Sequence, residues 1–295
     1  MVVLNRFRFI RSNRIIYNTV IVPKYINTVM MVHFFAETDI LPPHVLHDVS
    51  QYKCYLSQSE EGRALPDEKY ELTAEVIAFV KNEIKLVEDI ANQFENFRNL
   101  EDVNIVALSM GGNQIRGENS SQSTITLVVN NHFKEYGSVV AHELYHLVRS
   151  RVHKHPKTVG ERVVEEGLAN CFMHRDIQLT PLPALYRYEP YVFGYFEKNI
   201  LPYIPKVKGM IESTNINVGE FFFGGKNFPP DFGYNLGSIM VDAWLMHNNK
   251  RAADVIHVPA KEIYQRWFDN EIPIIERKRL RTRPARANTL PKAEP

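Results

Sequence analysis

The residues most able to do chemistry lie in the run Val139-Val140-Ala141-His142-Glu143-Leu144-Tyr145-His146-Leu147-Val148. It reads H-E-x-x-H within an apolar stretch. On a helix, His142 and His146 fall one turn apart on the same face, with Glu143 beside the first. Two imidazoles so placed can hold one Zn²⁺, and the neighbouring carboxylate can serve as general base toward a metal-activated water. The chemistry expected is peptide-bond hydrolysis. It needs a third ligand, because a catalytic zinc with an open position takes three from the protein.

One known continuation adds a third histidine, as H-E-x-x-H-x-x-G-x-x-H. Here Arg149 stands at the glycine position and Val152 at the histidine position, so that pattern fails. His153 and His155 fall in a Lys/His/Pro loop and are expected to be solvated. The other pattern takes a carboxylate from a second helix. Residues 161–169 read Glu-Arg-Val-Val-Glu-Glu-Gly-Leu-Ala, which puts Glu165 and Glu166 19 and 20 residues after His146. Adjacent residues on a helix point about 100° apart, so only one of the two can face a metal. Both sit between Val163-Val164 and Leu168-Ala169, a setting in which a bare carboxylate needs a partner. Spacing alone leaves the choice between them open.

The combination of H-E-x-x-H and a later Glu-Gly-Leu-Ala resembles the gluzincin metallopeptidases, whose aminopeptidases carry a comparable Asn-Glu-Gly-Phe-Ala segment. It is closer to a small group of predicted zinc-dependent proteases, domain of unknown function 2268. Their pattern is similar to V-A-H-E-x-x-H-x-x-R followed by E-G-L-A, matched by Val140-Ala141-His142-Glu143, His146, Arg149 and Glu166-Gly167-Leu168-Ala169. The likeness is strong over about 104–175 and weaker to about 246. It implies a zinc cofactor, a ligand set of His142, His146 and Glu166, and Glu143 as the base. Tyr234 followed by Gly237 and an apolar helix resembles the Tyr-x-x-Gly segment that carries the transition-state tyrosine in gluzincin aminopeptidases. That likeness implies Tyr234 as the oxyanion donor; the plainer reading is a tyrosine packing at a helix start after Pro229-Pro230. His174, two turns beyond Glu166, is a second candidate for donor or support. Gly117-Glu118-Asn119 is similar to a fragment of the aminopeptidase segment whose glutamate grips a free N-terminus. Its distance from His142 and its Ser-rich surroundings differ, which favours a protease over an aminopeptidase. A catalytically silent, zinc-stabilised binding protein is the third reading.

Several elements must position these residues. Thr124–Asn130 (TITLVVN) alternates and branches like a strand, and it leads into the motif helix with Ser138 as N-cap. In a metalloprotease such a strand can border the cleft as a sheet edge to which an extended substrate adds. Val103–Ser109 reads as a short buried strand, whereas Gly111-Gly112 and residues 117–121 read as loop. Residues 15–36 could supply a strand or two. A long helix is expected from Pro66-Asp67-Glu68 to Phe94, with apolar positions at i, i+3/i+4. Further helices are expected at about 161–175, 235–248 and 260–268. Phe221-Phe222-Phe223 and Tyr145 read as core. The fold class is α+β and zincin-like: a small sheet with an edge strand beside the HExxH helix, then a mainly helical C-terminal half.

Of the 295 residues, 44% are hydrophobic and 23% charged, ordinary globular values. The net charge of +1 hides basic ends. Residues 1–35 hold five basic and no acidic side chains, and residues 277–295 hold seven basic and one acidic. The body between has 23 basic and 33 acidic residues, formally −10. The division expected is a basic N-terminal extension (1–35), a metallopeptidase domain (36–276) and a basic disordered tail (277–295). An acidic body argues against nucleic acid as the main partner; the metallopeptidase resemblance implies a peptide or protein substrate. Cys54 and Cys171 are read as buried thiols in a reducing compartment. No apolar run reaches the ~18 residues of a membrane span. The setting expected is cytoplasmic, with the Arg-bearing start an alternative organelle presequence, an exposed extension, or a start placed before Met30 or Met31.

Overall fold

The computed structural model describes residues 30–36, 39, 41–48, 50, 72–98, 102–109, 116–119, 123–129, 136–178 and 195–269. The basic ends, Cys54 and the helix start expected at 66–68 lie outside these residues.

Four strands form one sheet in the order β1-β2-β4-β3, where β1 is Val32–Ala36, β2 Val103–Ser109, β3 Arg116–Asn119 and β4 Thr124–Val129. β1, β2 and β4 are parallel; β3 runs antiparallel to β4, with Gly117 opposite Leu127 and Asn119 opposite Ile125. β2 and β4 are interior strands whose described side chains are buried on both faces, as their near-continuous apolar sequence requires. Ile105, Ala107, Ile125 and Leu127 face the main core. Val106, Leu108 and Val128 face the other way, onto Val45.

Two expectations change here. The strand that precedes the motif helix, β4, lies inside the sheet and not at its edge. The edge beside that helix is β3, from a segment that reads as loop. Glycine is the reason for both the misreading and the geometry. A Cβ at Gly117 would come 2.6 Å from Glu143 Cγ and 2.7 Å from Val139 Cγ1, so the glycine marks a close approach of strand to helix, not a turn. The sheet also begins before position 36, since β1 starts at Val32 and Met30 exchanges two 3.1 Å hydrogen bonds with the Asn92 side chain.

The long helix between β1 and β2, α1 (Ala74–Ala91), starts where Thr73 Oγ1 accepts the Val76 N–H and is followed by a short turn of helix at Glu95–Arg98. Val80, Ile84, Val87 and Ala91 form its buried stripe. The motif helix α2 spans Tyr136–Ser150, so Ser138 lies buried within its first turn instead of capping it. α3 (Val159–Cys171) begins at a capping box: Glu161 N–H donates to Thr158 Oγ1, and the Thr158 N–H donates to Glu161 Oε2. It ends in a π-helical turn, Phe172–Ile177, where the sequence suggests continuing α-helix. Beyond lie α4 (Ile204–Met210), α5 (Val218–Phe223), α6 (Phe232–His247) and α7 (Ala260–Phe268).

α3 packs most closely on α6. A Cβ at Gly237 would overlap the Val163 carbonyl oxygen, and one at Gly167 would overlap the Gly237 carbonyl. Two glycines at one crossing bring the backbones into direct contact, and they hold α6 against the turn of α3 that carries Glu165 and Glu166. Behind α2, Phe97 stacks on Phe172 with centroids 4.6 Å apart, and Tyr145 packs on both rings. Burying rings of this size contributes about 2–3 kcal/mol each, which fixes α2 against the π-helical turn. Among the described residues, no helix is long and apolar enough to cross a membrane.

Candidate metal centre

Helical spacing and the α2–α3 packing bring three donor atoms to one point. The His142 and His146 rings sit edge-on with centroids 4.7 Å apart. Their Nε2 atoms approach to 3.0 Å. Glu166 Oε2 lies 3.1 Å from His142 Nε2 and 3.5 Å from His146 Nε2. Among the described residues this is the one group of three or more His, Cys, Asp or Glu side chains whose ligand atoms all fall within 4.8 Å of one another. The side chains are 15%, 16% and 24% exposed, so the group is largely but not wholly buried.

These separations suit a metal. Ligands about 2.0–2.1 Å from a tetrahedral zinc stand about 3.3 Å from each other. Two imidazole nitrogens meeting at 3.0 Å can share at most one proton between them, and the carboxylate adds a further lone pair. An imidazole pair with one carboxylate is a donor set typical of catalytic zinc.

The electrostatics carry the same message. Burial opposes charge on His146, but Glu166 and Glu165 outweigh it and hold the imidazole pKa well above its ordinary value. Burial likewise opposes charge on Glu166, but His146 and His142 outweigh it and hold its carboxyl far below the usual carboxylate range. Without a metal, the site attracts a proton. A zinc ion bound by these residues would take the place of that proton.

The adjacent carboxylate is placed differently. Glu165 Oε1 lies 3.7 Å from the other ring nitrogen of His146, Nδ1, and Glu165 Oε2 accepts from Arg149 Nε at 2.7 Å. Glu166 joins the donor group and Glu165 does not, as the resemblance implies and as spacing could not decide.

Glu143 stands half-buried on α2, outside the donor group. Asn119 of β3 donates from Nδ2 to the Glu143 carbonyl oxygen at 3.0 Å and reaches its Oε2 at 3.4 Å. The sequence gives no reason to single out Asn119. Its only signal is membership of the Gly-Glu-Asn fragment.

The family of predicted Zn-dependent proteases (DUF2268) matches residues 88–265. The chain belongs to this family. Neither curated proteins nor solved structures give a significant match. The match spans the motif helix, α3, the π-helical turn, α6 and most of α7, and it takes in all three donors. Zinc is the metal by which the family is described, and this DUF2268 chain has a His-His-Glu group able to hold it.

The remaining candidates in this DUF2268 chain fall as follows. Tyr234 is half-buried in the first turn of α6, its ring edge-on to Phe222 at 5.2 Å. It lies one turn before Gly237, the residue that touches α3 beside Glu166. His174 is buried on the π-helical turn, and burial together with His142 lowers its pKa to about 3, which keeps it neutral. Glu118 pairs through its backbone with Thr126, and its side chain lies outside the described residues. His155 is exposed as expected, but His153 is half-buried, its Nε2 2.9 Å from the Ile256 carbonyl. Tyr145 is buried, donating to the Ala252 carbonyl at 3.1 Å. Phe221 and Phe222 are core and Phe223 is half exposed. Cys171 is a buried free thiol.

Proposed function

We propose that this protein is a gluzincin-type zinc metallopeptidase with a zincin-like catalytic domain that takes in β1 and runs to about 276, working on peptides or proteins in a reducing, cytoplasmic setting. The observation that carries the reading is the convergence of His142 Nε2, His146 Nε2 and Glu166 Oε2, with Glu143 left outside the group on the same helix. Zinc held there supplies Lewis-acid activation of water and of the scissile carbonyl. Glu143 takes the water's proton at its carboxylate and later delivers it to the departing amine. Asn119 steadies Glu143 from the edge strand. Tyr234, on the helix held against α3 through Gly237, donates its hydroxyl to the oxyanion. The outer edge of β3 receives the substrate backbone, since among the described strands β3 pairs with β4 alone.

Glu143→Gln tests the assignment. It is expected to keep about one zinc per chain by metal analysis and to lose about 10²- to 10⁴-fold in hydrolysis of a mixed peptide library; full activity in this variant would remove Glu143 from the mechanism. Tyr234→Phe is expected to lower kcat about 10²-fold with KM little changed. Equal loss in both parameters, or none, returns Tyr234 to a packing role. Cleavage of N-acetylated peptides as readily as free-amine peptides distinguishes the protease from an aminopeptidase.

A further inference from the structure

We propose that Arg149 and Glu165 form a positioning clamp behind the metal group: Glu165 stands within ion-pair reach of His146 Nδ1 and, with zinc bound, would draw the ring's one proton to that nitrogen and leave Nε2 for the metal, while Arg149 locks Glu165 to the 255–258 segment. The inference rests on the zinc reading above. A neutral imidazole carries one N–H, and its partner decides which nitrogen is left to ligate. Here Nδ1 faces Glu165 Oε1 at 3.7 Å, while Nε2 faces His142 Nε2 and Glu166 Oε2. The two adjacent glutamates thus divide the work. Glu166 approaches the ring from the ligand side, and Glu165 approaches from behind.

Arg149 explains what holds Glu165 in place. It is the largest fully buried side chain described, 1% exposed. An unpaired guanidinium at such a depth costs several kcal/mol, about what an apolar residue of similar size would avoid. Each of its three nitrogens is used. Nε donates to Glu165 Oε2 at 2.7 Å, Nη1 to the Ile256 carbonyl at 2.7 Å, and Nη2 to the Val258 carbonyl at 2.9 Å. The segment supplying those carbonyls is itself pinned. Asp176 Oδ2 accepts the Ala253 N–H at 2.8 Å, Tyr145 donates to Ala252, and His153 meets Ile256. The fork therefore bears on a fixed base. Its one free direction along the helix turn is occupied by the carboxylate that faces His146.

The test uses the full chain, metal-free and loaded with zinc or cobalt. Glu165→Gln keeps the size and an acceptor but removes the charge. Its zinc dissociation constant, read by competition with a chromophoric chelator, is expected to rise about 10- to 100-fold. The visible spectrum of its Co²⁺ form is expected to shift, while its far-ultraviolet dichroism stays that of the parent. Arg149→Lys should move both readouts the same way by less. Unchanged zinc affinity and cobalt spectrum in Glu165→Gln overturn the clamp. A second measurement needs no variant. In zinc-loaded parent chain with ¹⁵N-histidine, long-range correlation spectra should show His146 metallated at Nε2 with a downfield, slowly exchanging proton on Nδ1. Metallation at Nδ1 overturns the clamp even if every variant fails to fold. If the parent chain itself binds no zinc, the zinc reading falls and the clamp falls with it; if zinc binds and only these signatures are absent, the zinc reading stands without the clamp.

Discussion

α3 and its π-helical extension carry buried charge in two places, and the two are arranged differently. Past the C-terminal end, Arg175 Nη1 meets Asp242 Oδ1, and Asp176 accepts a backbone N–H. There the chain supplies its own counter-charge or donor. Three turns earlier, Arg149 is taken by Glu165. Glu166 is left facing two imidazoles whose Nε2 atoms almost touch. Burial of polar groups is sustainable in either arrangement, but the second is balanced by taking up a proton from solvent or, in its place, a metal ion. The contrast separates a structural ion pair from a metal site more sharply than the motif does, because a chance H-E-x-x-H would not recruit a carboxylate from another helix to the same 3 Å space.

Removing one of the converging donors should break this contrast most severely. His146→Ala is expected to abolish zinc retention and hydrolysis together, as metal analysis and a peptide assay would show. It should also remove the gain in unfolding free energy on adding zinc, which for the parent is about 2.7 kcal/mol at a hundredfold excess over the dissociation constant. A variant that still holds about one zinc per chain would mean that the donors are not the ones named.

The region past the end of α3 predicts an effect of the opposite sign. Burial pushes the Asp176 carboxyl up to about 7, against the pull of the Ala253 N–H and of Arg175 and Arg251. An unfolded aspartate titrates near pH 4. Between those values the folded chain binds more protons than the unfolded chain, so the stability from this group is fully present below about pH 4 and is lost as pH rises to about 7. Asparagine keeps an acceptor for the Ala253 N–H and never ionises. Asp176→Asn is therefore expected to raise stability at pH 8 by about 2 kcal/mol, a discount on the ~4 kcal/mol that three pK units represent, and to change little at pH 4. Denaturant unfolding at the two pH values checks this. An increment that is equal at both would show that titration of Asp176 is not its cause, and none or a loss at pH 8 would show that Asp176 is charged and stably paired.

What the sequence made legible follows the same division. A four-residue spacing and a helical period determine which side chains share a face, so His142, Glu143 and His146 could be read directly. The later helix was legible from its apolar setting, and family likeness chose Glu166 from the adjacent pair. What could not be read depends on contacts far apart in the chain. Arg149 meets carbonyls more than a hundred residues away, and Gly167 and Gly237 meet only once α3 and α6 cross. β3 was hidden for a related reason. Its glycine serves a close approach to α2, and in sequence that looks the same as a glycine in a turn. The parallel order β1-β2-β4 likewise rests on pairings that no local period encodes.

The smallest expected effect tests the edge strand, and it bears on whether β3 belongs to the site or merely borders it. Asn119 is a half-buried side chain whose Nδ2 spans the carbonyl and the carboxylate of the same residue, Glu143. The 3.0 Å bond fixes strand to helix; the 3.4 Å reach bears on the carboxylate, and only that one can alter proton transfer. Asn119→Ala and Asn119→Asp both remove the amide donor and with it both bonds, but aspartate also sets a second carboxylate beside the first, which favours protonation of the base. Alanine is expected to lower kcat about tenfold, the equivalent of about 1.4 kcal/mol and the low end for a hydrogen bond to a charged group, as its 3.4 Å length suits, with zinc content unchanged. Aspartate is expected to lower kcat further at pH 6 than at pH 8, because raising the pH returns the base to its ionised form. If both variants lose the same activity at both pH values, Asn119 acts only by holding β3 against α2, and the edge strand positions the base without touching its chemistry.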